Sequence, residues 1–195
     1  WLVMTLATKV NKKYLIAMLL VFLVTVPVVY PRLHDYQRQR IKTFLDPSID
    51  PAGAGYNVNQ AIIATGSGGM FGQGLGSGGQ SQGNFLPSSH TDFIFAVIGE
   101  ELGLLGTLGT ITLIALLVIT IFRISMSARD EFSRYLGMGI AFWIGIQSLI
   151  NLASATSLIP VVGVTLPFIS YGGSSLVALV GALGFVAGIA LRDPD

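Results

Sequence analysis

An all-α, polytopic membrane fold is predicted here by three observations: a chain unusually poor in charge, a chain rich in apolar residues, and four apolar runs of membrane length. Of 195 residues, 52% are hydrophobic and only 11% charged, against roughly 25% charged in soluble domains. Mean hydropathy is +0.71. The formal net charge of +1 offers nucleic acid no bulk attraction, and the basic residues sit at the ends of apolar runs rather than in a patch with interleaved aromatics. No nucleic-acid partner is expected; the lipid bilayer is. The absence of cysteine removes disulfides, thiolate nucleophiles and Cys-based metal sites. The chain starts at Trp1, and no basic region with a small-residue cleavage site precedes its first apolar run, so no signal peptide is expected.

A helix needs about 20 apolar residues to cross the hydrocarbon core. The first run covers about residues 14–33, with Lys9, Lys12 and Lys13 before it and Arg32, Arg38, Arg40 and Lys42 at its far end. The second, 93–122, is longer than one crossing requires, so its first turns, with Glu100 and Glu101, are expected at or above the interface. The third, 136–158, contains Gln147 and Asn151, four apart and therefore on one helix face; they suit either interhelical hydrogen bonds or the lining of a polar cavity. The fourth covers 172–191. Gly99/Gly103 and Gly184/Gly188 both have the small-xxx-small spacing that lets helices approach closely. Between the last two spans, Pro160 and Pro167 bracket PVVGVTLP, a proline-interrupted stretch expected to form a re-entrant or outer-leaflet loop buried against protein.

Orientation follows from Lys and Arg near the span ends. The first flank, the loop 123–134 with Arg123, Arg129 and Arg134, and the tail with Arg192 share one side, which is therefore cytoplasmic. The large loop, about 34–92, and the Pro160–Ser170 region then face outward. That loop divides into a charged juxtamembrane piece, an amphipathic helix expected over Asn57–Thr65, and a glycine-rich run from Gly66 to Gly83. The run holds one G-x-G-x-x-G match at Gly74, Gly76 and Gly79. No strand precedes it and no suitably placed acid follows, so a dinucleotide site is rejected, and without Gly-Lys-Ser/Thr there is no P-loop. Glycine-rich backbone can still offer N–H groups to a phosphate, and Arg38 and Arg40 could neutralise one or simply reach toward lipid headgroups.

Asp92 ends this loop, in the stretch NFLPSSHTDFIFAVIGEELGLL, and an ionisable residue at a membrane edge is a functional candidate by default. Two readings stand. Ser89-His90-Thr91-Asp92 before an apolar run resembles a helix N-terminus, where a carboxylate accepts backbone N–H groups. Equally, a carboxylate at the mouth of a membrane cavity suits taking a proton from a sugar hydroxyl. A hydrolytic pair with Glu100 is excluded: on a continuous helix the two lie about 12 Å apart along the axis, beyond the roughly 5 to 9.5 Å of glycosidase pairs. Glu100 and Glu101 would then pair with outer cations or line the cavity. With His34 and His90 the only histidines, no histidine-rich metal site can form.

The stretches HDYQRQRI (34–41), LDPSIDPAGAGYNVNQAIIATGSGGMFGQG (45–74), QSQGNFLPSSHTDFIFAVIGEELGLLG (80–106) and LPFISYGGSS (166–175) closely resemble the SEDS family of bacterial shape, elongation, division and sporulation proteins. YQRQR, GAGY and QSQ-x-NFLP resemble the RodA (elongation) branch more than the FtsW (division) branch. Ser88-Ser89 departs from the family, which often carries Glu and a polar or basic residue there, and Gly83 stands where many relatives have a larger residue; these put details of the substrate loop in question. The resemblance implies a ten-span fold of which residues 1–195 are the last four spans. It also implies a multi-pass protein of the bacterial cytoplasmic membrane, inactive as this part alone, that polymerises lipid II, the undecaprenyl-pyrophosphate-linked disaccharide-pentapeptide, on the outer face.

Within that reading, Asp92 matches the family's essential aspartate, expected as general base on the acceptor GlcNAc 4-hydroxyl with undecaprenyl pyrophosphate leaving. Substrate-binding candidates are Arg38, Arg40, Gln80, Gln82, His90, Thr91, Glu100, Glu101 and Ser174. A divalent cation, Mg²⁺ or Mn²⁺, would assist the pyrophosphate, its ligands unassigned, and a class B penicillin-binding protein would be the transpeptidase partner. Two other functions compete: a flippase for lipid II, which calls for inverted repeats, broken helices and a midplane site, and a non-catalytic scaffold that activates the transpeptidase.

Overall fold

The computed structural model describes residues 12–46, 49–50, 53–83 and 85–192, which contain helices and turns and no strand. Lys9, expected in the first positive flank, lies outside them. Helix α1 spans Lys12–Val29 and runs into a 3-10 turn, Tyr30–Arg32. Its apolar side chains are exposed on every side, Val21 and Phe22 at 64%, as a helix does that faces lipid or other protein all round. Helix α2, Asp35–Leu45, opens at His34, whose backbone N–H donates to Gln37 Oε1 at 3.0 Å. Helix α3, Ala54–Ser67, extends the expected Asn57–Thr65 helix by about one turn at its start. A single turn, α4, covers Gly79–Gln82.

Among the described residues three helices are long and apolar enough to cross a membrane: α5 (Ile94–Ser127), α6 (Glu131–Ala155) and α7 (Gly173–Arg192). The fourth apolar helix, α1, has 18 residues, about 27 Å at 1.5 Å per residue, near the short end of spanning lengths. The connection between α5 and α6 is tighter than the expected loop 123–134: only residues 128–130 lie outside the helices. Asp130 makes this possible by capping α6. Its Oδ2 accepts the Ser133 N–H at 2.7 Å, and that bond, followed by one from the Ser133 hydroxyl, holds its carboxyl below the ordinary carboxylate range against a desolvation cost, with Arg192 the least of the contributions. A depressed carboxyl of this kind supports the hairpin at neutral pH, and the support disappears as pH falls through its lowered pKa.

The core is built in layers. Toward the α5–α6 connection Ile121, Ile140, Ala141, Ile144, Leu179 and Val186 join α5, α6 and α7. At the opposite end Ala61 and Ala64 of α3 meet Phe93 and Ala96 at the start of α5, with Leu86. Between them Phe95 and Ala155 pack on Leu166 from the proline loop.

The long second span resolves into two helices joined at Gly103, whose φ of 66° and ψ of −159° are non-helical. Only glycine adopts that conformation readily. The glycine-rich run fills the break. Leu104 and Leu105 donate to the Gly69 and Met70 carbonyls at 2.9 and 3.3 Å, while the Glu100 and Glu101 carbonyls accept from Gln73 and Gly74 at 2.9 and 3.0 Å. Irregular backbone beside a membrane requires protein partners of this kind. The approach is close enough that a Cβ at Gly68 would lie 1.9 Å from the Gly99 carbonyl oxygen, and one at Gly72 2.1 Å from that of Glu101. The amides of Gln73 and Gly74, open to a phosphate on sequence grounds, are thus engaged by α5.

Candidate active site

Asp92 sits one residue before Phe93, the N-cap of α5. Among the described residues its carboxylate meets no hydrogen-bond donor, so the expected capping role is not taken. Its backbone, in contrast, is fixed from three directions. Asn151 Nδ2 in α6 donates to the Asp92 carbonyl at 3.2 Å and to Val164 at 2.7 Å. Ser170 Oγ donates to the Thr91 carbonyl at 2.7 Å, and the Tyr171 N–H donates to the His90 carbonyl at 2.9 Å. A partly exposed carboxylate on a rigid support is well placed for proton transfer, because its position does not depend on bonds it must break to react.

Gln147 and Asn151 therefore act as glue, toward a loop rather than toward another helix. Asn151 is fully buried. Gln147 Nε2 reaches the Thr165 carbonyl at 2.9 Å, and Thr165 Oγ1 bonds Ser175 Oγ at 3.1 Å. Together they hold PVVGVTLP, which is non-helical throughout, against α6 and α7, as expected of a protein-buried loop.

The space beside Asp92 is a cavity of about 130 Å³. Helix α2 contributes Arg40, Thr43 and Phe44; α3 contributes Asn57 and Val58; Ser88, Phe93, Pro160 and Val161 complete the wall. Arg40 Nη1 donates to the Val161 carbonyl at 3.2 Å, tying α2 across the opening to the proline loop. Ser88 has a φ of 56°, uncommon for a residue with a Cβ, and strained backbone of this kind clusters at functional sites. Its carbonyl accepts the Thr91 and Phe93 N–H groups, which turns the chain so that Asp92 enters α5.

The sequence candidates separate into groups. Arg40 joins Asp92 in the cavity. His90 and Thr91 adjoin it in the chain, but His90 is exposed and lines a second, larger and more apolar hollow of about 440 Å³ with Ile94, Ile169, Tyr171 and Leu176. Arg38 donates through Nη2 to the Pro31 carbonyl. Ser174 is exposed at the start of α7 and lines neither space. Gln80, Gln82, Glu100 and Glu101 form a separate cluster around α4.

Glu100 is fully buried, and its two carboxylate oxygens accept the Gln80 and Ser81 N–H groups at 2.7 and 3.0 Å. Its role here is to anchor the glycine run. Glu101 makes only a 3.5 Å contact with Gln82 Nε2. Replacing Glu100 by alanine leaves two half-buried N–H groups without their acceptors, for an expected loss of about 2 kcal/mol. Glu101→Ala should be near neutral. Thermal unfolding of the two variants side by side checks this, and equal losses would contradict the anchoring role.

Asn57, Thr43 and Ser88 do not stand out in the sequence as cavity residues. An uncharged Asn or Thr on an amphipathic helix carries no signal that separates a cavity wall from a solvated face. For a divalent cation the donor set is poor: Asp92 is the one carboxylate lining the cavity, beside the Arg40 cation, and no group of three His, Cys, Asp or Glu converges among the described residues. These residues do not fit a protein-built metal site.

Residues 1–193 match the family model FTSW_RODA_SPOVE, described as cell cycle protein. Among curated proteins the chain is 42% identical over 193 residues to a probable peptidoglycan glycosyltransferase FtsW of Geobacter sulfurreducens, covering 98% of this chain and 51% of that protein. It is 44% identical over 157 residues to the peptidoglycan glycosyltransferase MrdB of Escherichia coli K12, covering 80% of this chain and 42% of that protein. It thus spans about half the length of the curated relatives it matches. Among solved structures it superposes on a chain of a peptidoglycan synthase complex, described in terms of coordinated polymerization and crosslinking, with a TM-score of 0.74 and 32% identity over 97% of this chain and 52% of that one. It also superposes on an aspartate-to-alanine mutant of the rod shape determining protein RodA of Thermus thermophilus, with a TM-score of 0.52 and 36% identity over 68% of this chain and 39% of that one.

Proposed function

Because the chain belongs to the FtsW/RodA/SpoVE family of cell cycle proteins, the SEDS proteins anticipated from its motifs, we propose that it carries the catalytic part of a peptidoglycan glycosyltransferase that polymerises lipid II. The observation that carries this reading is Asp92: an unbonded carboxylate on a backbone held by Asn151, Ser170 and Tyr171, opening on a half-polar cavity. The relatives named as peptidoglycan glycosyltransferases support it.

In the proposed step the GlcNAc 4-hydroxyl of the acceptor gives its proton to Asp92. Its oxygen forms the new bond to C1 of the donor MurNAc as the bond from C1 to the pyrophosphate oxygen breaks. Undecaprenyl pyrophosphate leaves with the electron pair. A phosphate leaving group needs little acid assistance, which agrees with one carboxylate rather than a pair. Mg²⁺ or Mn²⁺, if used, would be carried by the pyrophosphate and neutralise its charge.

The positive-inside pattern of Arg123, Arg129, Arg134 and Arg192 supports a site on the outer face of the cytoplasmic membrane. YQRQR and GAGY support the RodA branch, and the coordinated complex to which the fold is similar supports a class B penicillin-binding protein as partner. The break at Gly103 is the feature that most favours a transporter, since broken helices often frame transport sites. Its N–H groups at Leu104 and Leu105 are bonded to loop carbonyls, which argues against a ligand held by them.

The test is polymerisation of purified lipid II by the full-length protein with its transpeptidase partner. Glycan strands on a gel are the expected product. Translocation of labelled lipid II across proteoliposomes without any strand formation would replace this reading with the flippase.

A further inference from the structure

The cavity beside Asp92 gathers polar groups that the fold leaves unused. Elsewhere many buried or half-buried polar groups are occupied, Gln147 Nε2 and Asn151 Nδ2 on loop carbonyls, Ser170 on Thr91 and Glu100 on two amides, and the unpaired ones, such as Gln60 Oε1, Asn151 Oδ1 and Ser157 Oγ, are scattered. Helical threonines such as Thr65, Thr107, Thr112 and Thr120 bond back to a carbonyl three or four residues earlier. Around the cavity the unpaired groups converge. The Asn57 amide, the Ser88 hydroxyl and the Asp92 carboxylate meet no partner among the described residues, and Arg40 uses one nitrogen only, on Val161. Thr43 is 3% exposed, yet its Oγ1 bonds nothing, not even its own helix. Leaving a buried polar group unpaired costs about 1–3 kcal/mol, and a concave site with a few convergent unpaired polar groups is the usual form of a binding pocket.

The chemistry of the wall is specific. Arg40 and the Asn57 amide nitrogen are donors, the Asn57 amide oxygen is an acceptor, and Val58, Phe93 and Val161 form an apolar surface beside them. A neutral group with a carbonyl oxygen, an N–H and a methyl matches that set: donors for the oxygen, an acceptor for the N–H, and an apolar wall for the methyl. The cavity, about 130 Å³, has room for one such substituent.

We infer that this cavity is the subsite for the acetamido group of the acceptor sugar, with Asn57 and Arg40 as its specificity-determining residues. The inference rests on the function proposed above and deepens it. While Asp92 takes the proton from the hydroxyl, Asn57 and Arg40 fix the sugar through its N-acetyl group, so that the hydroxyl facing the carboxylate is the one that reacts.

The experiment compares lipid II with an analogue whose GlcNAc is replaced by glucose, which puts a neutral hydroxyl in place of the acetamido group. Full-length wild type and Asn57→Ala are assayed on both, with Asp92→Asn in parallel. Wild type should favour lipid II by at least about tenfold in kcat/KM, as a site with paired hydrogen-bonding groups does. Asn57→Ala should lose about tenfold or more on lipid II, mostly in KM, while staying within about threefold of wild type on the analogue, so that discrimination collapses. Equal use of the two substrates by wild type, undiminished discrimination by Asn57→Ala, or equal loss on both substrates would overturn the subsite. An Asp92→Asn variant that remains fully active would instead overturn the catalytic reading, whatever Asn57 does.

Discussion

Gly103→Val should destabilise the outer half of the molecule by about 4 kcal/mol or more. Three effects add. A φ of 66° with ψ of −159° is close to glycine-only backbone, which costs a β-branched residue about 1–3 kcal/mol. The new Cβ would lie 2.4 Å from the Gly72 nitrogen and 2.8 Å from the Met70 carbonyl, both backbone atoms that cannot turn aside. Moving them breaks the bonds from Leu104 to Gly69 and from Gln73 to the Glu100 carbonyl, and these close the helix break. Gly184→Ala is the control: a Cβ there meets nothing within 4 Å, and alanine is the better helix former. The yield of folded protein and its thermal unfolding should fall for the first variant and hold or rise for the second. Equal behaviour would contradict the view that the glycine run is a structural stitch.

That pair of glycines shows what could be read from the sequence and what could not. Gly99/Gly103 and Gly184/Gly188 carry the same spacing, yet only the first pair is closely packed, because spacing records helix phase and not what lies opposite. The last span was legible to within a residue, since apolar content and the terminal Arg192 mark both ends. The unusual length of the second span was legible as well, but its cause was not. The break depends on contacts from residues 69–74, some 30 positions earlier in the chain, and no local pattern encodes them.

The site divides in the same way. Asp92 stands out because a carboxylate at the edge of an apolar run is costly and must have a reason. Arg40 stands out by charge. Gln147 and Asn151 are visible as polar residues on one face, while their partners, Thr165, Val164 and the Asp92 carbonyl, emerge only once the proline loop folds back over α6. Asn57 and Thr43 become candidates only when their hydrogen-bonding capacity is counted in three dimensions. Glu100 carries as strong a sequence signal as Asp92 and is an anchor, because the two amides it accepts lie in the glycine run.

Loss of the carboxylate's basicity with its shape retained tests the central claim most directly. Asp92→Asn keeps the side-chain volume, and the Asn151, Ser170 and Tyr171 bonds reach residues 90–92 through backbone carbonyls, so the site should remain assembled. General-base catalysis contributes about 10²–10⁴-fold. Single-turnover strand extension by full-length Asp92→Asn, with lipid II binding measured on the same preparation, should therefore fall by about 10²–10⁴-fold in rate while affinity changes less than about threefold. Extension at the wild-type rate by a variant that binds lipid II normally would contradict the assignment of Asp92 as the base.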